Sequence, residues 1–305
     1  MTSIVKQGDV LLGIKRGDIL GAGKFPVLLR FEVGIYVDML VSWLIDNFAG
    51  FFDGITGFGI WFLIRVETFL SWLPWWFVLL FILIITWKAK KNIKLSLFFT
   101  FLVFFIGAFG LWVHMIQTLA IVLTSVAVSL ILGIPSGIIM AYSNKLNNLI
   151  RPVLDFMQTM PGLVYLIPAV ILFGMGRVPA VFATTIYAVP PVIRLTDLGI
   201  RRVSREMVEA SFSFGASAWQ TLVKVQFPQA LPTIMTGVNQ TTMMALAMVV
   251  FSSMIGARGL GMEVLIAINQ MDIARGFEAG ISIVFLAIII DRISQGVADR
   301  FRYPE

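Results

Sequence analysis

Cysteine is absent from the 305 residues, and histidine occurs once, at His114. The first absence excludes disulfides, thiolate metal sites, iron–sulfur clusters and thiol nucleophiles. The second excludes a histidine cluster for metal binding or catalysis. Charge is also scarce, at 13% of residues, where an ordinary soluble domain carries about 25%. So little charge cannot cover the surface of a globule this size. What fills the chain instead is apolar: 58% of residues, with a mean hydropathy of +0.92. The composition is that of an integral membrane protein. The excess of 23 basic over 17 acidic residues could suggest nucleic acid. In a membrane chain it marks cytoplasmic loops instead. The opening residues MTSIVKQGDVLLGIKRGD hold no long uncharged run and do not read as a signal peptide.

A spanning helix needs about 20 mostly apolar residues. Charge-free or nearly charge-free runs of that kind predict seven spans: 70–87, 95–115, 115–144, 156–176, 178–193, 225–257 and 279–290, the last extended to 295 if Asp291 and Arg292 lie at the interface. The loops between them alternate in charge. Lys88, Lys90, Lys91 and Lys94 follow the first span, Lys145 and Arg151 the third, Arg194, Arg201, Arg202 and Arg205 the fifth, and Arg292, Arg300 and Arg302 the last. The loops around His114 and Arg177 are nearly uncharged, and 257–276 is balanced. The positive-inside rule then places the N-terminus outside and the C-terminus in the cytoplasm.

Residues 36–69 fit less simply. Val37, Leu40, Val41, Leu44, Ile45 and Phe48 recur at helical spacing, with Asp38, Ser42 and Asp46 displaced from them. That pattern predicts an amphipathic helix lying in the interface. A span across 54–69 is the rival, and Arg65 and Glu67 argue against it, since a mid-membrane charge costs roughly 2.5–3.5 kcal/mol on insertion scales.

Several apparent motifs fail. Gly17 to Phe25 has one residue too many between Gly17 and Gly23 for a phosphate loop, and Phe25 stands where a hydroxyl should hold magnesium. Gly256, Gly259 and Gly261 lack the order and the preceding strand of a dinucleotide fingerprint. The glycosylation match at Asn239 falls inside an expected span. His114, at the outer end of a helix, reads as a solvated imidazole.

The informative stretch is the cytoplasmic segment 203–228. Ser204 is an N-cap with Glu206 in the first turn, and Gly215 suits a left-handed helix end. Ser217-Ala-Trp-Gln220 has the form of a capping box opening a second helix, which Pro228 should end. Val208, Phe212, Trp219 and Leu222 form an apolar stripe. The pattern predicts a compact cytoplasmic knob that docks on a partner or packs on its own spans.

Glu209-Ala210-Ser211, three residues, Gly215, nine residues, then Val225-Gln-Phe227-Pro228 resembles the EAA loop of ABC importer permeases. Ser211, Val225 and Phe227 depart mildly from that family's Ala, Ile and Leu. Asp155–Pro168, Val189–Thr196 and Gly237–Thr241 strengthen the resemblance and narrow it to permease subunits of glycine betaine/proline betaine (quaternary amine) importers. It runs from about 70 to 298; residues 1–35 match nothing.

The resemblance implies an all-α, polytopic membrane protein with a type I ABC importer permease core. The expected divisions are an N-terminal tail (1–35), the interfacial segment (36–69), two peripheral spans (70–113), the core (114–298) with its coupling loop (203–228), and a C-terminal tail (299–305). It further implies a homodimeric subunit of a prokaryotic plasma (inner) membrane importer, with no catalytic site or cofactor of its own. ATP and magnesium would sit on a separate ATPase subunit, present in two copies, and an external binding protein would deliver an osmolyte. Glu209, Ala210, Ser211, Phe212 and Gly215 would couple to the ATPase. For the substrate route, Tyr165, Phe173 and Tyr187 offer aromatic faces to a methylated ammonium. Asn239, Gln240 and Thr241 are unusually polar for a span, which suits helix packing first and pathway contact second. The rival reading is an ion-coupled secondary transporter or channel. It should show internal repeats and buried ionisable groups at mid-membrane, and neither is found; Arg194 and Asp197 can pair at i, i+3 near a cytoplasmic end.

Overall fold

The computed structural model describes residues 33–299, and the expected tails lie largely outside them. Every regular element among the described residues is helical. Helix α1 covers Val33–Trp72, α2 Trp75–Lys90, α3 Ile93–Ala108 and α4 Trp112–Tyr142. After Ser143 come α5 (Asn144–Thr159), a 3-10 turn (Gly162–Tyr165) and α6 (Leu166–Phe173). Then follow α7 (Arg177–Arg201), α8 (Arg205–Ser213), α9 (Ala218–Thr221), α10 (Phe227–Ser252), α11 (Leu260–Gln270) and α12 (Ile273–Asp299).

The described residues fall into two compact units, 33–52 and 53–299. In the first, α1 is kinked at Phe48 (φ −122, ψ 20), whose ring meets that of Trp43 edge-on at 5.9 Å. The second unit holds the core.

α4 and α7 form its centre and run parallel. Ser125 Oγ donates to the Val181 carbonyl and Ser129 Oγ to the Thr185 carbonyl, both at 3.3 Å, so the contacts advance four residues at a time on each helix. Two parallel neighbours require the chain to cross back between them, and α5 with α6 makes that return. The return is not the straight span expected over 156–176. α5 and the 162–173 segment meet at 109°, because Met160-Pro161-Gly162 breaks the helix. α10 runs antiparallel to α7: Gly199 faces Ala230, Gly237 faces Leu195, and Thr184 meets Ser252. Asn239 on α10 reaches Asp291 on α12. One end of the unit thus carries His114, Arg177 and the 253–263 turns, and the other carries Tyr142, Arg201 and the 202–226 segment.

By length and composition five helices among the described residues could cross a membrane, or six with the bent pair. Four match expected spans: α4, α7, α10 and α12. The expected peripheral spans at 70–87 and 95–115 are shorter, since Pro74 delays α2 and Gly110 ends the turn after α3; each is 16 residues, about 24 Å.

The fifth candidate is α1 itself, where an interfacial helix was expected. Its exposed apolar residues are not held to one face: Phe58, Ile60, Trp61 and Ile64 are all uncovered. The charges that spoke against a span are partnered, Glu67 by Arg177, and Arg65 by the Trp61 ring 5.5 Å away.

Candidate functional site: the 203–228 knob and the polar face of the core

Local sequence builds the knob as its caps predict. Ser204 Oγ accepts from the Met207 amide at 3.3 Å and opens α8, with Glu206 in the first turn. Gly215 ends it at φ +79, and nothing lies within 4 Å of where a Cβ would stand. The glycine is therefore required by backbone conformation rather than by space. The capping box is complete: Gln220 N donates to Ser217 Oγ at 3.3 Å, and Ser217 N donates to Gln220 Oε1 at 2.8 Å. Ser211 Oγ and Thr221 Oγ1 lie 2.6 Å apart and tie α8 to α9.

Pro228 does not end the second helix. α9 passes through a π-helical turn, Leu222–Gln226, directly into α10, with Pro228 in the first turn of the new helix. There a missing N–H costs little, because the wider turn has already broken the ordinary ladder. The knob is thereby continuous with a core helix. Leu222 is buried against Ile200, Ala230 and Ile234, and the Tyr142 hydroxyl bonds Gln226.

The expected apolar stripe splits in two. Leu222 turns inward, while Phe212 and Trp219 point out. Phe214, which the sequence reading passed over, is 92% exposed and Trp219 72%. Two bare aromatic rings flank the left-handed glycine. Its position next to Gly215 is the available signal: Phe214 stands one residue past the last helical residue of α8, where no helical face holds it inward. Glu209 and Ala210 are exposed, and no ion pair engages the Glu209 carboxylate among the described residues.

The polar and aromatic positions of the spans do not form one cluster. Tyr165 and Tyr187 do meet, ring to ring at 5.8 Å, and the Tyr165 hydroxyl donates to the Met157 carbonyl. Phe173 packs elsewhere, 4.6 Å from Phe182. Asn239 donates to Asp291 at 3.0 Å, leaving its own oxygen buried and unpartnered. Thr241 is fully buried, its hydroxyl also without a partner among the described residues, and Gln240 faces outward into a cavity. Arg194 does not pair with Asp197. It bonds Asp155 on α5, while Asp197 takes Arg201 at 2.6 Å and Asn147 at 2.8 Å.

At the opposite end His114 is not a free imidazole. Its Nε2 lies 3.1 Å from Glu263, a buried carboxylate that Arg275 also holds at 2.6 Å. The failed fingerprint glycines serve packing there: a Cβ on Gly259 would sit 2.6 Å from Thr118 Oγ1, and one on Gly261 2.9 Å from Val250 Cα.

Residues 133–303 match the family model described as "Binding-protein-dependent transport system inner membrane component". The chain is 48% identical over 279 residues to the glycine betaine/carnitine transport permease protein GbuB of Listeria monocytogenes, covering 88% of this chain and 96% of that protein. It is 42% identical to the glycine betaine transport system permease protein OpuAB of Bacillus subtilis, over 88% of this chain and 95% of that one. The glycine betaine/proline betaine permease protein ProW of Escherichia coli is 43% identical, over 84% and 72%. Among solved structures, an inward-facing form of the MetNI methionine ABC transporter superposes with a TM-score of 0.57 at 19% identity, over 61% of this chain and 94% of that chain. That last likeness concerns the fold alone.

Proposed function

The chain belongs to the family of binding-protein-dependent transport system inner membrane components, and on that premise we propose that it is the permease subunit of an ATP-driven importer of glycine betaine or a related quaternary amine. The observation that carries this reading is similarity along nearly the whole length of relatives named for that transport. In this reading two copies of the chain line the pathway. Two copies of a separate ATPase subunit, holding ATP and magnesium, engage the knob, and an external binding protein delivers the substrate. The chain itself carries no ATPase site. The end bearing the knob faces the cytoplasm, and the C-terminal end of α12 with it; the N-terminus lies outside with α1 at the interface and inside with α1 as a span.

The geometry gives the coupling role physical content. Phe212, Phe214 and Trp219 are uncovered apolar surface on a segment rich in caps and ties, a shape suited to a groove. Glu209 and Ala210 stand exposed beside them. Because the π turn runs into α10 without a loop, a push on the knob is delivered to a core helix rather than absorbed. Alternating access by rigid-body motion follows from such a linkage. Tyr165 is buried and meets Tyr187 edge-on, so on the substrate route the half-buried Tyr187 is the ring left to meet a methylated ammonium, which has no N–H to donate. Phe173, Asn239 and Thr241 serve packing more than passage. Gln240 keeps its place on the route.

The test is a substrate panel on the reconstituted complex. ATP hydrolysis should rise with betaines presented by the binding protein and stay flat with common amino acids. Stimulation by methionine or other primary amines alone would contradict the quaternary-amine assignment.

A further inference from the structure

Along α7 the face that carries Tyr187 changes character toward the cytoplasmic end. Tyr187, Pro191 and Arg194 stand at i, i+4 and i+7, so they share one side of the helix. Where Arg194 emerges, a cavity of about 330 Å³ opens between α5, α7 and α10, with Arg151, Gln158, Arg194, Asp197 and Gln240 on its walls.

The charges of this cavity do not cancel internally. Arg194 spends one nitrogen on Asp155, but its Nε is shut off from water and has no acceptor among the described residues. Arg151 is exposed and makes no ion pair among the described residues. Asp197, the acid on the wall, already accepts from Arg201 and Asn147. A buried guanidinium N–H without an acceptor is a costly arrangement unless something supplies one. The geometry of that group suits a carboxylate. A betaine presents only two recognisable ends, a methylated ammonium and a carboxylate. The half-buried Tyr187 ring suits the first end, and nothing described so far receives the second.

We propose that the cavity between α5, α7 and α10 is a carboxylate station at the cytoplasmic end of the substrate route, with the Arg194 guanidinium, which turns its unsatisfied edge to the arriving group, as the donor and Arg151 as a second cation. The proposal rests on the betaine reading. A substrate leaving Tyr187 moves two turns along α7 and exchanges a contact at its ammonium for one at its carboxylate. Asp155 then competes with the substrate for Arg194, which keeps the station weak enough to release.

The experiment uses the complete transporter, permease and ATPase subunits together, in nanodiscs of neutral lipid without binding protein. Binding of labelled glycine betaine is compared with that of choline, which has the same ammonium and no carboxylate. Arg194→Gln should weaken betaine about tenfold and Arg151→Gln by a smaller factor, with choline unchanged. Asp155→Asn should tighten betaine, the opposite of what loss of a merely structural pair would do. Arg151→Gln removes no intramolecular bond, so it remains informative if Arg194→Gln fails to fold. Unchanged betaine binding in Arg151→Gln and in a folded Arg194→Gln, or equal weakening of choline, overturns the station. Uptake is scored in parallel in sealed proteoliposomes supplied with the binding protein and internal ATP. Betaine uptake by wild type with unchanged binding in the variants rejects the station alone, whereas absence of wild-type betaine uptake rejects the betaine reading and the station with it.

Discussion

A Cβ on Gly137 would stand 2.6 Å from Thr196 Cβ and 2.6 Å from the Ile193 carbonyl oxygen, so α4 and α7 meet backbone to backbone at that level. Four residues earlier Gly133 faces Val192, and Ser129 and Ser125 continue the line with hydrogen bonds to α7. Small residues at a spacing of four are what allows two membrane helices to close to this distance. Gly137→Leu should separate the pair and destabilise the fold by about 2–4 kcal/mol, in the range of severe overpacking. Expression and thermal stability in detergent should both fall; wild-type stability in this variant would mean the two helices are not packed as described.

Gly215 gives the opposite case. No atom crowds its missing side chain, and only its φ of +79 resists substitution. Gly215→Val should cost roughly 1–3 kcal/mol of local strain and re-aim the knob. Gly215→Asn, which tolerates that backbone, should cost far less. Transport and substrate-stimulated ATP hydrolysis should drop together in the valine variant, with yield and melting temperature near wild type. Aggregation of the valine variant would make the knob an internal packing element.

Phe214 is almost wholly exposed, so Phe214→Ser removes no intramolecular contact worth measuring. The purified permease should be as stable as wild type or more soluble. Its co-purification with the ATPase subunit should weaken about tenfold or more, as for an exposed aromatic anchor at an interface. Undiminished assembly would show that the ATPase engages another surface.

Glu263 is a buried carboxylate held by His114 and Arg275. Arg275→Ala leaves it facing a histidine alone and should cost about 3–5 kcal/mol, less whatever the partly exposed arginine loses to screening. Adding Glu263→Gln to the same chain should recover most of that loss, because the uncompensated charge is gone. A double variant as unstable as the single one would contradict the pairing.

The sequence reading went furthest where chemistry is local. Ser204, Gly215 and the Ser217–Gln220 box each fix their own turn, and all three stand as their residue types predict. It went least far where a partner is remote in sequence. Arg194 could reach Asp197 within its own helix, yet α5 supplies Asp155, 39 residues away. His114 looked solvated because its partner Glu263 comes from α11, 149 residues further along the chain. Pro228 predicts a stop, and no local rule foretells the π turn that carries the chain past it. Charges in 36–69 spoke against a span only while Glu67 lacked Arg177. Phe214 was passed over because an apolar residue near a stripe is ordinarily assigned inward, and its outward aim depends on where α8 stops.

The central claim is that ATP hydrolysis on a separate subunit, delivered through the knob, drives uptake. It is tested most directly in proteoliposomes holding the permease and its ATPase subunit, with binding protein and labelled glycine betaine outside. ATP sealed inside should produce accumulation that stops with a non-hydrolysable analogue or with Gly215→Val, and that survives collapse of the sodium and proton gradients. Accumulation without ATP, driven by an imposed ion gradient, would contradict the account and make the chain an ion-coupled transporter.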